Sequence, residues 1–110
     1  MGKTTLHPHM EVTETVLTFA SGTVTLRKIG NIGFIQSTAA VSTSGGNYQN
    51  WFTMPEDFRP TTDRFIPVIY GGNASYPGLL KIQSGGVVQV YCNTSLSNQN
   101  IWISGPYVLN

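Results

Sequence analysis

The side chains with most capacity for chemistry are Asp57, Arg59, Asp63 and Arg64, crowded between Trp51 and Tyr70 in the stretch "NYQNWFTMPEDFRPTTDRFIPVIYGG", Asn47 to Gly72. Two carboxylates on either side of one bond are the machinery of a glycosidase. Glu56 and Asp57 are adjacent, so an extended chain turns them to opposite sides and denies them a shared bond. Asp57 and Asp63 could meet across a turn, which makes a small glycan-degrading enzyme the weakest of the readings. No nucleophile elbow, phosphate loop or metalloprotease signature occurs, and both histidines fall within the first nine residues. The expectation is a protein that is not an enzyme and takes no cofactor.

Recognition asks less of the sequence than catalysis. A sugar lays its apolar face on an exposed aromatic ring while amides, carboxylates and guanidinium groups bond its hydroxyls. Trp51, Tyr70, Asn73, Tyr76 and Trp102 are the candidates, with Asp63 and Arg64 as polar partners. For Trp51 and Trp102 the competing reading is packing, in the core or between subunits. Asp57 with Arg59, and Asp63 with Arg64, equally read as solvated or paired charges at a corner. There Pro55 and Pro60 end one strand and aim the next, and Phe58 is the anchor. On that reading any ligand contact in this stretch falls to Trp51 and Tyr70. His7-Pro8-His9 puts two imidazoles on one side of an extended segment, and three copies around an axis would supply six nitrogens to a transition metal. The plainer reading, a linker without metal, is the stronger of the two.

Any such site must be held by a chain of 110 residues, which is one domain with one core. Only 10% of the residues are charged, the formal net charge is +1, and the six lysines and arginines are scattered. Neither nucleic acid nor an anionic membrane is therefore an expected partner. Few charges on a small domain also suggest that partner subunits cover part of its surface. The single cysteine, Cys92, shares a strand face with Val88 and Val90 and reads as a small buried hydrophobe. No apolar run approaches ~18 residues and no charged start leads into an apolar core, so a soluble product without membrane insertion or classical export is expected.

Gly, Ser, Thr and Asn are abundant and helix formers sparse, so the fold class is all-β, an antiparallel β-sandwich of jelly-roll-like type. Met1 to Met10 lack periodicity and read as a linker or stalk remnant, leaving 11–110 as the folded head. Strands are expected from Glu11 to Phe19, over "TVTLRKIG", and, after a two-residue Gly30-Asn31 hairpin, through "NIGFIQSTAAV". The stretch from Ser42 to Asn47 reads as a loop. "RFIPVIYGG" is a strand placed at a sheet edge, or bulged, because Pro67 has no amide hydrogen to donate. "GLLKIQSGGVVQVYC" is a hairpin turning at Ser84-Gly85-Gly86. A strand from Asn100 to Ser104 and a docked apolar tail close the chain.

Several of these strands are apolar on both sides, Phe65, Pro67 and Ile69 against Ile66, Val68 and Tyr70 most clearly. A two-sheet sandwich has one interior, so the second face is expected to be buried between subunits of a closed homo-oligomer.

Taken in order, "VTLRKIGNIGFIQ", "FTMPEDFRPTTDRFIPVI", "KIQSGGVVQVYC" and "IWISGPYVLN" resemble the C-terminal head domains of phage tail fibres and baseplate receptor-binding proteins. The likeness spans about Val24 to Tyr107. It implies a homotrimeric β-sandwich at the tip of a virion fibre, joined to other fibre or baseplate segments and binding a host cell-surface saccharide. Binding residues in that group lie in variable loops or subunit seams, so the resemblance assigns no residue here. The alternative it leaves open is a trimerisation module of a fibre with no ligand of its own.

Overall fold

Alternation of apolar and polar residues becomes two antiparallel sheets in the structure, a computed structural model that describes residues 5–7, 10–71, 74–103 and 105–110, with backbone only for 5–7 and 10. One sheet has five strands in the order β1 (Thr5–His7), β2 (Met10–Phe19), β3 (Gly22–Ile29), β4 (Ile32–Ser37) and β11 (Pro106–Val108). The other has six: β5 (Ala40–Thr43), β10 (Leu96–Ile103), β7 (Arg64–Gly71), β8 (Ser75–Ile82), β9 (Val87–Cys92) and β6 (Gln49–Thr53). The chain changes sheets after Ser37 and again after Ile103. The result is an all-β sandwich, as the composition required. The segment read as a linker contributes β1, whose backbone pairs with the edge of β2.

The two meanders β2-β3-β4 and β7-β8-β9 bring the inward rows together. Val24, Leu26, Leu80, Ile82 and Val88 are wholly buried between the sheets, and Cys92 is buried beside them as a free thiol. At the Gly30-Asn31 hairpin Ile29 pairs with Ile32, so the loop has two residues as expected. Only Gly30 there has positive φ, +58°. Asn31 serves the tail instead: its carbonyl accepts the Leu109 amide at 2.9 Å and its side chain accepts that of Asn110 at 3.0 Å. The docked C-terminus is thus stitched to the first hairpin.

"NIGFIQSTAAV" is two strands rather than one. Ser37 Oγ accepts the Ala39 amide at 3.0 Å and Thr38 donates its own amide to Thr23 at 2.9 Å. Side-chain bonding of this local kind competes with a strand ladder and lets the chain step to the other sheet. The loop expected from Ser42 is correspondingly shorter, since β5 runs to Thr43.

The placement of "RFIPVIYGG" corrects the expectation of an edge or bulged strand. β7 lies inside its sheet, between β10 and β8, and pairs with β8 without a register shift. Among the described residues the β10 ladder runs as far as Ile103↔Val68, one residue short of Pro67.

The proline corner reads as expected. Phe58 is buried in a 3-10 turn over Glu56–Phe58, Pro60 is buried, and Arg59 donates through Nε to the Met54 carbonyl at 2.8 Å. Tyr107 locks this corner to the tail: its hydroxyl donates to the Phe58 carbonyl at 2.6 Å, while its ring lies across Gly33. A Cβ on Gly33 would collide with that ring. Replacing Gly33 with Ala should therefore lower unfolding free energy by about 1–3 kcal/mol, the usual toll of overpacking. An unchanged denaturation midpoint would show that the ring has room to move.

Burial pushes the phenols of Tyr70 and Tyr107 from an ordinary 10.0 up to about 12. The unfolded chain releases these protons near pH 10 and the folded one does not, so their contribution to stability is complete below that pH and lost as pH climbs to about 12. Urea midpoints measured over this alkaline range should fall, and Tyr107→Phe should fall less steeply. Parallel curves for the two proteins would contradict the assignment.

Candidate functional site

The sequence candidates do not converge. Trp51 is on β6, an edge strand, and Tyr70 on β7, with β8 and β9 between them. Tyr70 has no accessible surface; its ring covers Gly78, and its hydroxyl donates to the Leu79 carbonyl at 3.2 Å and accepts the Tyr91 amide at 3.1 Å. It is a core residue that ties β8 to β9 and has no face to offer a ligand. This corrects its expected role: in-out alternation along β7 puts it on the same side as Ile66 and Val68.

Tyr76 sits opposite Tyr70 in register and packs, half-buried, on the core. Asp63 accepts the Ser84 amide at 3.1 Å and pairs with Lys81 at 3.9 Å, while Arg64 donates to the Val108 carbonyl at 2.8 Å. Both are occupied in holding strand ends. Asp57 receives the Lys28 ammonium on its backbone carbonyl, so the charges of this stretch are dispersed along the corner. Trp102 is 62% exposed, on the outer face of the six-stranded sheet. Asn73 and His9 lie outside the described residues, and His7 falls on β1, where only the backbone is described. Among the described residues no three His, Cys, Asp or Glu side chains are grouped as metal ligands.

Two of the aromatic candidates line cavities: Trp102 a small one of about 170 Å³ with Ser37, Thr38, Asn100 and Ile101, and Trp51 a larger one. β6 pairs with β9 through Asn50↔Gln89 and then Phe52↔Val88, a register shift that leaves Trp51 as the extra residue of a β-bulge. A bulge turns the local chain and re-aims a side chain. Here Trp51 meets Phe52 edge-on, ring centroids 4.9 Å apart, and lines an open groove of about 490 Å³.

β5 and β6 are opposite edges of the six-stranded sheet, yet both line this groove, so the sheet curls until its edges face one another. The turn between β2 and β3 joins them with Phe19, Ala20 and Ser21. Val41 and Val90, both buried, give an apolar base, and Ser42, Gln49 and Asn50 a polar margin. The Asn50 amide is fixed by Gln89, which donates to its oxygen at 2.8 Å. A half-buried indole that packs on the core, apolar walls and one fixed amide form a surface that suits a pyranose better than a charged ligand. Ser42, Gln49 and Asn50 escaped the sequence reading, since polar residues at the start of a short edge strand look like any loop.

The chain matches no known protein family and no curated protein.

Tyr70 and Asn50 separate core from groove experimentally. Tyr70→Phe leaves the buried Tyr91 amide without its acceptor and should cost about 1–3 kcal/mol in chemical denaturation. Asn50→Ala, at the groove margin, should stay within ~0.5 kcal/mol of wild type. Equal losses for the two would contradict this division.

Proposed function

We propose that this chain is a non-enzymatic attachment head, carried as a homotrimer at the tip of a phage tail fibre or baseplate, that binds a host cell-surface saccharide in the groove beside Trp51. The reading is supported by the antiparallel sandwich, the scaffold implied by the resemblance of Val24 to Tyr107 to such heads. The observation that carries it is the bulge that brings the Trp51 indole into a groove margined by Gln49, Asn50 and Ser42. A shallow, open site of this kind gives weak single contacts. Three copies on one rigid tip raise the overall affinity by effective concentration, without new contacts.

A second reading, an assembly module with no ligand of its own, is favoured by the apolar outer face of the six-stranded sheet. Screening wild type and Trp51→Ala against an array of bacterial surface saccharides distinguishes the two. Binding by wild type that weakens about tenfold in the variant, the worth of one stacked ring at ~1.4 kcal/mol, is the expected outcome, with far-UV circular dichroism unchanged. Failure to retain any saccharide, or equal binding by both proteins, would overturn the attachment reading.

A further inference from the structure

The outer faces of the two sheets differ in chemistry. On the five-stranded sheet the outward rows mix Glu14, Arg27 and Phe34, then Val16, Thr25 and Gln36. One outward row, Val12↔Ile29↔Ile32↔Val108, is apolar, but Glu14 and Arg27 form an exposed ion pair in the row beside it. A charge pair in the middle of this face makes it the costlier of the two to bury.

The six-stranded sheet carries two nearly unbroken apolar rows outward: Trp102↔Ile69↔Pro77, and Pro67↔Leu79↔Tyr91. A third row, Phe65↔Lys81↔Gln89↔Asn50, turns polar toward β6. Trp102, Phe65, Ile69 and Tyr48 are 62%, 54%, 47% and 39% exposed. At ~200 Å² for each large side chain these four alone present about 400 Å².

We infer that this face, centred on Ile69 and Trp102, is where one copy of the chain packs against another. A standard interface takes about 800 Å² from each partner, a little over half of it apolar. The four side chains supply that apolar half, and Gln89 and Asn100 supply a polar rim. Charge points to a like partner rather than a foreign one. Lys81 is the only cation in the three rows; its ammonium lies 3.9 Å from Asp63 and over the Tyr48 and Phe65 rings, at 5.2 and 5.8 Å. Two such faces meet without like-charge repulsion, whereas an anionic membrane or nucleic acid would find no basic field to hold it. The groove beside Trp51 lies on the seam between β5 and β6, so association through the sheet face leaves it open. This rests on the multi-copy half of the function proposed above, and its failure would leave the saccharide groove untouched.

Sedimentation equilibrium at micromolar concentration tests it with wild type, Ile69→Lys, Trp102→Ala and, on the opposite sheet, Val16→Lys. Wild type and Val16→Lys should sediment as oligomers. Ile69→Lys should sediment as a single chain with unchanged far-UV circular dichroism, and Trp102→Ala should dissociate at least tenfold more readily. Trp102 is 62% exposed, so Trp102→Ala with unchanged far-UV circular dichroism reads the interface even if Ile69→Lys does not fold. A monomeric wild type would overturn the inference, as would an oligomer that Trp102→Ala leaves intact and Val16→Lys breaks.

Discussion

β7 is apolar on both sides, and a sandwich of two sheets has one interior. Its inward residues Ile66, Val68 and Tyr70 are at most 3% exposed, while Phe65 and Ile69 on the other side are about half exposed. Much else in the molecule is arranged around this strand. β8 and β10 flank it, and the Tyr70 hydroxyl reaches through to bind β8 and β9 together. The tail that follows β10 returns to the first hairpin and to the proline corner. Burying the inner face builds the fold, and the outer face is left as a large apolar surface that water covers at a cost.

Two tyrosines do comparable structural tasks at opposite positions. Tyr70 stands over Gly78 and Tyr107 over Gly33, in each case at a distance where an added Cβ would collide with the ring. Each uses its hydroxyl on a backbone group: Tyr70 on Leu79 and Tyr91, Tyr107 on Phe58. A large ring with a polar tip can thus fill a core and also terminate it, provided the facing strand has a glycine. The corner between Pro55 and Pro60 owes its order to Tyr107 and to Arg59, and its acids are peripheral to that order.

Much of this was legible in the sequence. Period-two alternation marked the hairpins at Gly30-Asn31 and Ser84–Gly86, and the two-faced character of "RFIPVIY" was visible without coordinates. What was not legible has identifiable physical causes. The change of sheet at Thr38 hides because Ile35, Ala39 and Val41 keep one parity across it, and the break depends on hydroxyl bonding, not on glycine or proline. β10 begins at Leu96, earlier than expected, because "LSNQN" is polar and includes Asn98 at φ 53°. The bulge at Trp51 has no local signature and arises from pairing with a strand some forty residues away. Tyr70 and Trp51 close the same short stretch in sequence, yet strand order assigns one to the core and the other to the groove.

The proposed association covers the outer face of β7 in the working protein. Its most direct test is the solvent exposure of Trp102, read by acrylamide quenching of its fluorescence in Trp51→Phe, where it is the only indole. At micromolar concentration Trp102 should be shielded with blue-shifted emission, becoming open to quencher as the protein is diluted. Free quenching at every concentration, as expected for a ring 62% exposed on a single chain, would contradict the account.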